Sequence, residues 1–306
     1  MDGILPLWKE KGMTSHDCVF KLRKILHTKK IGHGGTLDPD VSGVLPICIG
    51  KGTKVIEYMV DSGKTYEGEI TLGFSTTTED ISGEIVEREH LSKPFTFEEI
   101  DQAMQQMTGE ITQIPPMFSA VKVNGKRLYE YARNGEEVER PQRKAMIYSF
   151  ERTSEPVFNE EEGTQSWGFK VVCGKGTYVR TLSVDTGKAL GVPAHMSELV
   201  RTASGGLNQE QCVTLSEVAE KMEQEAIADV LLPIEIGVSG FPRIDLTDEQ
   251  YSRVRNGVFL SREELGLSEP VESLLAFYYQ GLVVSLYQQH PEKSSMLKPS
   301  KVLRNN

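Results

Sequence analysis

A glycine-rich loop at residues 32–43, with the sequence Gly-His-Gly-Gly-Thr-Leu-Asp-Pro-Asp-Val-Ser-Gly, constrains this chain more than any other segment. It joins a basic segment with helical periodicity to the apolar run 44–49, which is typical of a strand. Its glycines allow backbone angles that other residues resist, and Pro39 fixes φ directly after Asp38. Because little side-chain bulk surrounds it, such a loop can hold a carboxylate close to a ligand. The loop is therefore predicted to carry the chemistry of the protein.

Two better-known motifs share part of this pattern. The D-x-D-x-S-G order of residues 38–43 matches the first half of an EF-hand calcium loop, but the twelfth position is Ile49 instead of a bidentate Glu. The same D-x-D occurs in aspartyl-phosphate phosphatases, where it follows a buried apolar strand, whereas residues 31–37 are mostly Gly, His and Thr. The loop taken alone also fits a third interpretation, an ordinary Gly-Pro turn with solvated acids.

Length and composition indicate an ordinary globular protein. The 306 residues allow two domains and a substantial core, with 38% hydrophobic and 25% charged residues. No apolar run approaches the ~20 residues of a membrane span, and the first residues lack the charged-then-apolar order of a signal peptide. The four cysteines are scattered without a C-x-x-C pair, which disfavours a zinc site or a disulfide framework. We expect a reduced, cytoplasmic protein without a metal.

The charge distribution is uneven. A net charge of −10 argues against a general nucleic-acid binder, since phosphate neutralisation favours a basic surface. Cations nevertheless concentrate at 21–30, just before the loop, and at 122–144, while acids collect at 160–162 and 217–225. An acidic protein can therefore present one basic face to RNA, although each basic stretch alone also fits an ordinary solvated surface.

Local patterns predict several elements in the first two thirds of the chain. Ser15 is the expected N-cap of a helix from His16 to about residue 27. Alternating apolar residues predict strands at 64–73 and 167–173. A turn at 174–176 is expected to lead into a returning strand, 177–180, before a helix over 182–190.

Capping boxes of the T-x-x-E or T-x-x-Q type predict three more helices, beginning after Thr96, Thr214 and Thr247; the first ends at Gly109 and the second reaches about residue 229. Segment 233–242, with Pro, Gly and Ser, reads as a domain boundary, and short strands are expected near 273–279 and 281–287.

Six blocks of sequence together resemble the bacterial TruB-type tRNA pseudouridine synthases. Besides the loop they are K-T-Y-E-G at 64–68, the Q-I-P-P-M-F-S-A-V-K-V-N-G run at 113–125, L-Y-E-Y-A-R at 128–133, G-T-Y-V-R-T at 176–181 and P-A-H-M at 193–196. They follow the order of that family from about residue 3 to residue 204. Each block alone is weak, but six in one order are specific.

The resemblance implies an α+β catalytic domain over residues 1–235, with a mixed, largely antiparallel sheet and flanking helices. A small β-rich, PUA-like RNA-binding domain would follow over residues 240–304. It also implies an isomerase that acts as a monomer on the T-arm stem-loop of tRNA, without a cofactor or metal. The enzyme would convert the uridine at position 55 to pseudouridine by breaking the C1′–N1 bond, turning a flipped-out base and rejoining it through C5.

Alternatives from other classes stay open. One is a tRNA-binding or RNA-folding module whose catalysis is lost or secondary. Another is a carboxylate glycosidase for free sugars, although no second catalytic acid is recognisable.

By motif position, Asp38 is implied to be the catalytic acid. Charge develops at the sugar carbon when the glycosidic bond breaks, and glycosidases also place a carboxylate beside such a centre. Whether Asp38 attacks C1′ or removes the 2′ proton stays open. Arg180 corresponds to the family's active-site arginine, whose planar fork would pair with Asp38, keep it ionised and fix its aim.

The remaining implied site residues contact the substrate. Tyr66 would stack on the target base, although its strand pattern also fits a core tyrosine, and His33 would interact with the displaced nucleotides. Contacts to the nucleotide are implied for Tyr178 and Leu199, and contacts to phosphate or sugar for Lys64 and Lys9.

Three positions depart from the family pattern: Gly34 replaces the usual Thr, Gly52 a frequent Ala and Glu10 a typical Pro. Because Gly34 removes a hydroxyl and a β-branch, we expect a more flexible loop and slower turnover. Glu10 places an acid near Lys9, which weakens the case for Lys9 as an RNA contact.

Overall fold

The structure is a computed structural model, and it describes residues 1–305. A ten-stranded mixed sheet forms the main body, and a separate five-stranded sheet follows near the C-terminus. The strands are β1 (Gly3–Lys9), β2 (Ile31–His33), β3 (Ser42–Ile49), β4 (Lys64–Leu72), β5 (Phe74–Thr76), β6 (Ile85–Arg88), β7 (Gly109–Gln113), β8 (Lys122–Val123), β9 (Lys126–Arg127), β10 (Arg143–Arg152), β11 (Val157–Asn159), β12 (Thr164–Cys173), β13 (Ala194–Ser204), β14 (Leu207–Asn208), β15 (Arg243–Asp245), β16 (Leu260–Ser261), β17 (Leu275–Tyr279), β18 (Leu282–Gln289) and β19 (Met296–Val302).

Helices flank the main sheet and decorate the second one. They are α1 (Ser15–Ile25), α2 (Ile56–Asp61), α3 (Phe97–Gln105), α4 (Leu128–Arg133), α5 (Val179–Leu190), α6 (Leu215–Glu223) and α7 (Asp248–Val254). Within the described part of the chain, no helix is both long and apolar enough to cross a membrane.

The main sheet has the order β1-β3-β13-β4-β12-β10-β7; in addition, β2 pairs with β3, β14 with β13 and β11 with β12. Its neighbours are antiparallel except for β3 and β13, which run parallel. The second sheet has the order β15-β17-β18-β19-β16 and contains one parallel pair, β15 with β17. The expected α+β fold, with a largely antiparallel sheet and a β-rich C-terminal domain, is therefore confirmed.

Both faces of the main sheet are covered. On one face, alternate residues of β4 and β12, such as Ile70 and Trp167, pack against α3 and α5. The strands β1 and β3 carry apolar side chains on both sides, Leu5 and Leu45 against α1 and α6 and Ile4 and Val44 against α2. Strand β3 is buried along nearly its whole length, as expected for a strand covered on both sides. The glycine-rich loop thus leads directly into a buried strand.

Four predictions about element boundaries were wrong. Helix α1 is capped by Thr14, whose hydroxyl forms a capping box with Asp17, and Ser15 is its first helical residue. Residues 177–180 do not form a returning strand, because α5 begins at Val179 without a side-chain N-cap and includes Arg180 in its first turn. Helix α6 ends at Glu223, short of the expected residue 229, and Gly109 opens β7 after α3 has ended at Gln105.

The other predicted strands and helix starts agree with the structure. Thr96, Thr214 and Thr247 each accept a hydrogen bond from the backbone of the third helical residue. Strand β4 spans nearly the whole predicted segment 64–73, and β17 and β18 occupy the two predicted C-terminal positions.

Candidate active site

Arg201 holds the loop between β2 and β3 in place through its guanidinium group. It lies on β13, is fully buried, and donates from Nε to the Val44 carbonyl at 2.8 Å. Its Nη1 and Nη2 donate to the carbonyls of Thr36 and Gly35 at 3.3 and 3.1 Å. Hydrogen bonds from a charged donor are stronger than neutral ones. The loop therefore has a fixed path up to Asp38.

Two side chains near the N-terminus, Ser15 and Lys9, also bind the backbone of this loop. The Ser15 hydroxyl accepts from the Leu37 amide at 2.9 Å and donates to the Leu37 carbonyl at 3.2 Å. Lys9 is fully buried, and its ammonium donates to the carbonyls of Pro39 at 3.1 Å and Met13 at 2.7 Å. Burial lowers the pKa of Lys9. Lys9 is thus a loop anchor, and its expected contact with phosphate or sugar is wrong because solvent does not reach it.

Glycine is required at one end of the loop. Gly43 has φ +126°, and a Cβ there would lie 2.2 Å from the Arg201 carbonyl oxygen, where β3 and β13 run parallel. A Cβ of this kind cannot be accommodated without moving the backbone. At Gly34 the backbone amide donates to the Pro46 carbonyl at 2.8 Å, and a Cβ would lie 3.1 Å from that of Met59. Gly34 therefore sits in a closely packed place.

Asp38 and Arg180 form an ion pair, as the resemblance implied. Arg180 Nη2 lies 3.0 Å from Asp38 Oδ2; the arginine side chain is 8% exposed and the carboxylate 46%. The guanidinium also donates to the carbonyls of Thr78 and Phe118, each at 2.9 Å. Because three partners fix the guanidinium, it presents one rigid edge to the accessible carboxylate.

Sequence reasoning missed Asp80, which faces the same arginine. Its Oδ2 lies 4.0 Å from Arg180 Nη1. Its Oδ1 accepts from the Thr78 hydroxyl at 2.6 Å and from the amide and hydroxyl of Ser82 at 3.0 and 2.5 Å. These bonds lock Asp80 in a turn. The T-x-D-x-S pattern at 78–82, which is typical of an Asx turn, is the sequence signal that marks it.

A cavity of about 310 Å³ opens beside Asp38. Six predicted site residues line it: Asp38, Lys64, Tyr66, Tyr178, Arg180 and Leu199. Within residues 1–305, Asp38 is the single carboxylate of this cavity. The lining also includes Ser119 and Arg201, which sequence reasoning did not select.

The floor and walls of the cavity combine apolar area with a few polar groups. Tyr66 is 8% exposed on β4, and burial raises the pKa of its phenol. The side-chain amide of Gln113 forms two hydrogen bonds with the backbone of Tyr178: it accepts from the Tyr178 amide at 2.9 Å and donates to the Tyr178 carbonyl at 3.1 Å. Leu199 contributes apolar surface from β13. A planar, mostly apolar ring with polar edges fits such a lining.

Lys64 supplies a cation to the cavity wall. Its ammonium donates to the carbonyls of Val60 at 2.8 Å and Ser62 at 3.1 Å. Burial, together with the positive charge of Arg201, lowers the pKa of Lys64 to about 8. One ammonium hydrogen is left for another partner, because an ammonium has three donors.

His33 does not line the cavity. It lies on β2, partly exposed, and its Nδ1 is buried without a hydrogen-bond partner. Burial and the charge of Arg201 lower the pKa of His33. The structure thus brings six of the eight predicted site residues to one cavity and leaves His33 and Lys9 outside its lining.

Comparison with known proteins identifies the class of this fold and site. A family model described as the N-terminal domain of TruB family pseudouridylate synthases matches residues 23–179, and a model of the tRNA pseudouridylate synthase B C-terminal domain matches residues 180–239. The site therefore lies in a fold of pseudouridylate synthases, which are isomerases. In a Cbf5–Nop10–Gar1 complex, a chain 29% identical to this one superposes with a TM-score of 0.75, covering 99% of this chain and 85% of that one.

Relatives of full length agree with the family models. The tRNA pseudouridine synthase B of Bacillus pumilus is 53% identical over 99% of this chain and 98% of that protein. The protein of the same name from Halalkalibacterium halodurans is also 53% identical, over 100% of this chain and 99% of its own length. The chain belongs to the TruB family of pseudouridylate synthases.

Proposed function

We propose that this protein isomerises the T-arm uridine of tRNA, at position 55, to pseudouridine, with Asp38 as the catalytic carboxylate. The observation that carries the proposal is the Asp38–Arg180 pair, which offers one half-exposed carboxylate to a cavity of about 310 Å³. The relatives named tRNA pseudouridine synthase B, at about half identity over the full chain, support tRNA as the substrate.

Asp38 would act at the sugar carbon. The C1′–N1 bond breaks, and positive charge at C1′ is stabilised or captured by the carboxylate. Arg180 would hold Asp38 in position through both steps, while Asp80 holds Arg180. No chain movement is needed for this, because the carbonyls on either side of Asp38 are already bonded to Ser15 and Lys9.

The other cavity residues would bind the base and its sugar. A uridine would enter this cavity only by leaving the stack of its RNA. Tyr66 and Leu199 offer apolar surface to the extruded ring, and Tyr178 extends that surface at the wall. Lys64 would donate its remaining hydrogen to a sugar or phosphate oxygen. His33, outside the cavity, would contact nucleotides displaced from the loop.

The rest of the chain would position the tRNA. We propose that residues 1–235 form the catalytic domain and residues 240–304 a PUA-like RNA-binding domain, which the separate five-stranded sheet and its own core support. Lys54 joins the two parts, donating to the carbonyls of Val302 and Leu303 at 2.8 and 3.2 Å. The protein would act as a monomer in the cytoplasm, where its tRNA substrate is found.

Mapping pseudouridine in an unmodified tRNA transcript tests this proposal. Incubation with the protein should produce pseudouridine at the T-arm uridine and at no other position. A transcript with cytidine at that position serves as the matched control and should remain unmodified. Pseudouridine only at another position would refute the T-arm specificity. Tight binding without pseudouridine in any transcript would instead support an RNA-binding or RNA-folding module.

A further inference from the structure

Helix α1 carries an exposed row of three side chains, His16, Phe20 and Lys24, which are spaced four residues apart and so share one face. Phe20 is 53% exposed, and the Lys24 ammonium lies 4.5 Å from the centroid of its ring. Within residues 2–80, Phe20 is the only large hydrophobic side chain that is exposed. Packing does not account for this ring, because α1 meets the sheet through its other face, where Leu22 is buried.

The α1 row has a fixed position relative to the glycine-rich loop. At the start of the helix, the Ser15 hydroxyl accepts from the Leu37 amide at 2.9 Å, directly before Asp38. Near its end, Arg23 donates to the Ile31 carbonyl at 3.2 Å, on the strand that leads into the loop. Both ends of α1 are thus tied to backbone that flanks the loop, and an RNA bound at Asp38 would lie close to the row.

The row begins next to His33. Burial, the charge of Arg201 and the charge of His16 all lower the pKa of His33, so His16 lies near the histidine of β2. Phe20 follows about 6 Å further along the helix axis. The exposed surface therefore continues from His33 along α1.

The charge around Phe20 is positive and is not neutralised by the protein. Segment 15–30 contains a single acid, Asp17, whose carboxylate accepts from the amide and hydroxyl of Thr14 at 2.9 and 2.6 Å. None of the lysine–carboxylate ion pairs of residues 1–305 includes a lysine of this segment. The lysines concerned are all exposed: Lys21, Lys24, Lys29 and Lys30.

An exposed ring among unpaired ammonium groups fits an RNA nucleotide. Bases stack on aromatic side chains, and phosphates bind lysines. Stacking needs an unpaired base, which a loop offers and a duplex does not. A protein partner would need a wider apolar patch than a single ring, because stable protein interfaces bury about 20 residues on each side.

We propose that an unpaired nucleotide of the tRNA T-arm loop, other than the target uridine, stacks its base on Phe20 and places a phosphate at Lys24. This proposal rests on the proposed function and adds a contact outside the cavity. The Lys24 ammonium can turn from the ring to the phosphate on its flexible stem. The row takes no part in the bond changes, so loss of the ring should weaken RNA binding and leave the rate of the bound complex nearly unchanged.

The first test compares Phe20→Ala with Phe97→Ala in binding a T-arm stem-loop RNA. Phe97 is the matched control: it lies on helix α3, is 46% exposed and has the Arg152 guanidinium 4.8 Å from its ring centroid. That guanidinium is already bound to both oxygens of Asp101, at 2.8 and 3.0 Å.

Phe20→Ala should raise the Kd for the stem-loop about tenfold, whereas Phe97→Ala should stay within about twofold of wild type. Single-turnover rates at saturating RNA should stay within about twofold of wild type for both variants. An unchanged Kd for Phe20→Ala would overturn the proposal.

Tryptophan fluorescence reports the stacking itself. The stem-loop should quench the additional emission of Phe20→Trp, measured against wild type with its Trp8 and Trp167, and should not quench that of Phe97→Trp. A duplex of the stem without its loop should quench neither variant. Equal quenching of Phe20→Trp by the duplex and the stem-loop would overturn the contact with an unpaired base.

The salt dependence of binding tests the phosphate contact. Lys24→Met should lower the slope of log Kd against log salt concentration by about one. Lys188→Met is the control, because the Lys188 ammonium is paired with Asp185 at 3.0 Å, and its slope should equal that of wild type. An unchanged slope for Lys24→Met would overturn the phosphate contact. A wild-type protein that forms no pseudouridine would overturn the proposed function, whereas these binding measurements decide the α1 contact by themselves.

Discussion

Lys64 provides a stability measurement that tests the electrostatics of the cavity. Its pKa is about 8 in the folded protein, against 10.5 for a solvated lysine, because burial disfavours the ammonium. Between these pKa values the unfolded chain binds more protons than the folded one. Raising the pH removes that advantage, so the free energy of unfolding of wild type should rise relative to a Lys64→Met variant. For these two pKa values the rise from pH 7 to pH 10 is about 2–3 kcal/mol.

Urea unfolding of both proteins at pH 7, 8, 9 and 10 gives this difference directly. Arg201 and Cys173, which also face Lys64, are present in both proteins, so their own contributions to the difference largely cancel. Lys170→Met is the matched control, since Lys170 is a half-exposed lysine on the neighbouring strand β12, and its difference from wild type should change by only a few tenths of a kcal/mol. A Lys64→Met difference that does not vary with pH would refute the assignment of a desolvated ammonium to this wall.

Three further changes test the loop and its anchor. Arg180→Lys should lower kcat about 10²-fold, because an ammonium cannot serve all the partners of the guanidinium; single-turnover kinetics measure this, and a near wild-type rate would contradict it. Gly43→Ala should lower the free energy of unfolding, measured in urea, by about 2–4 kcal/mol. The control Gly12→Ala should lower it by about 1 kcal/mol, because φ is also positive there but a Cβ meets no atom within 4 Å. Equal losses would refute the close approach of Gly43 to Arg201. Gly34→Thr should lower the free energy of unfolding by about 1 kcal/mol in the same assay, because Met59 must move to admit the side chain. A higher free energy of unfolding would instead support the flexible loop expected from the sequence.

The elements that the sequence predicted well depend on neighbouring residues. Capping boxes join residues three apart, and strand alternation needs only a short segment, so the starts of α3 and α7 and both ends of β4 were predicted closely. The start of α5 was not, because Tyr178 provides no side-chain cap, and the Gly-Lys-Gly turn before it suggested a hairpin.

The parts of the site that sequence reasoning missed depend on residues far apart in the chain. Arg201 bonds to Gly35 across 166 positions, and Arg180 faces Asp80 across 100. No local pattern distinguishes such an arginine from an exposed one on a strand. Lys9 was misread for the same reason, since its partner Pro39 lies 30 residues away and only the fold shows the ammonium to be buried.

The central claim is that Asp38 performs the isomerisation, and tritium release tests it most directly. T-arm RNA labelled with tritium at uridine C5 is incubated with wild type or Asp38→Asn, and binding of the same RNA is measured in parallel. Wild type should release tritium, whereas Asp38→Asn should release none above background and bind the RNA within a few-fold of wild type. Release by Asp38→Asn at the wild-type rate would contradict the account.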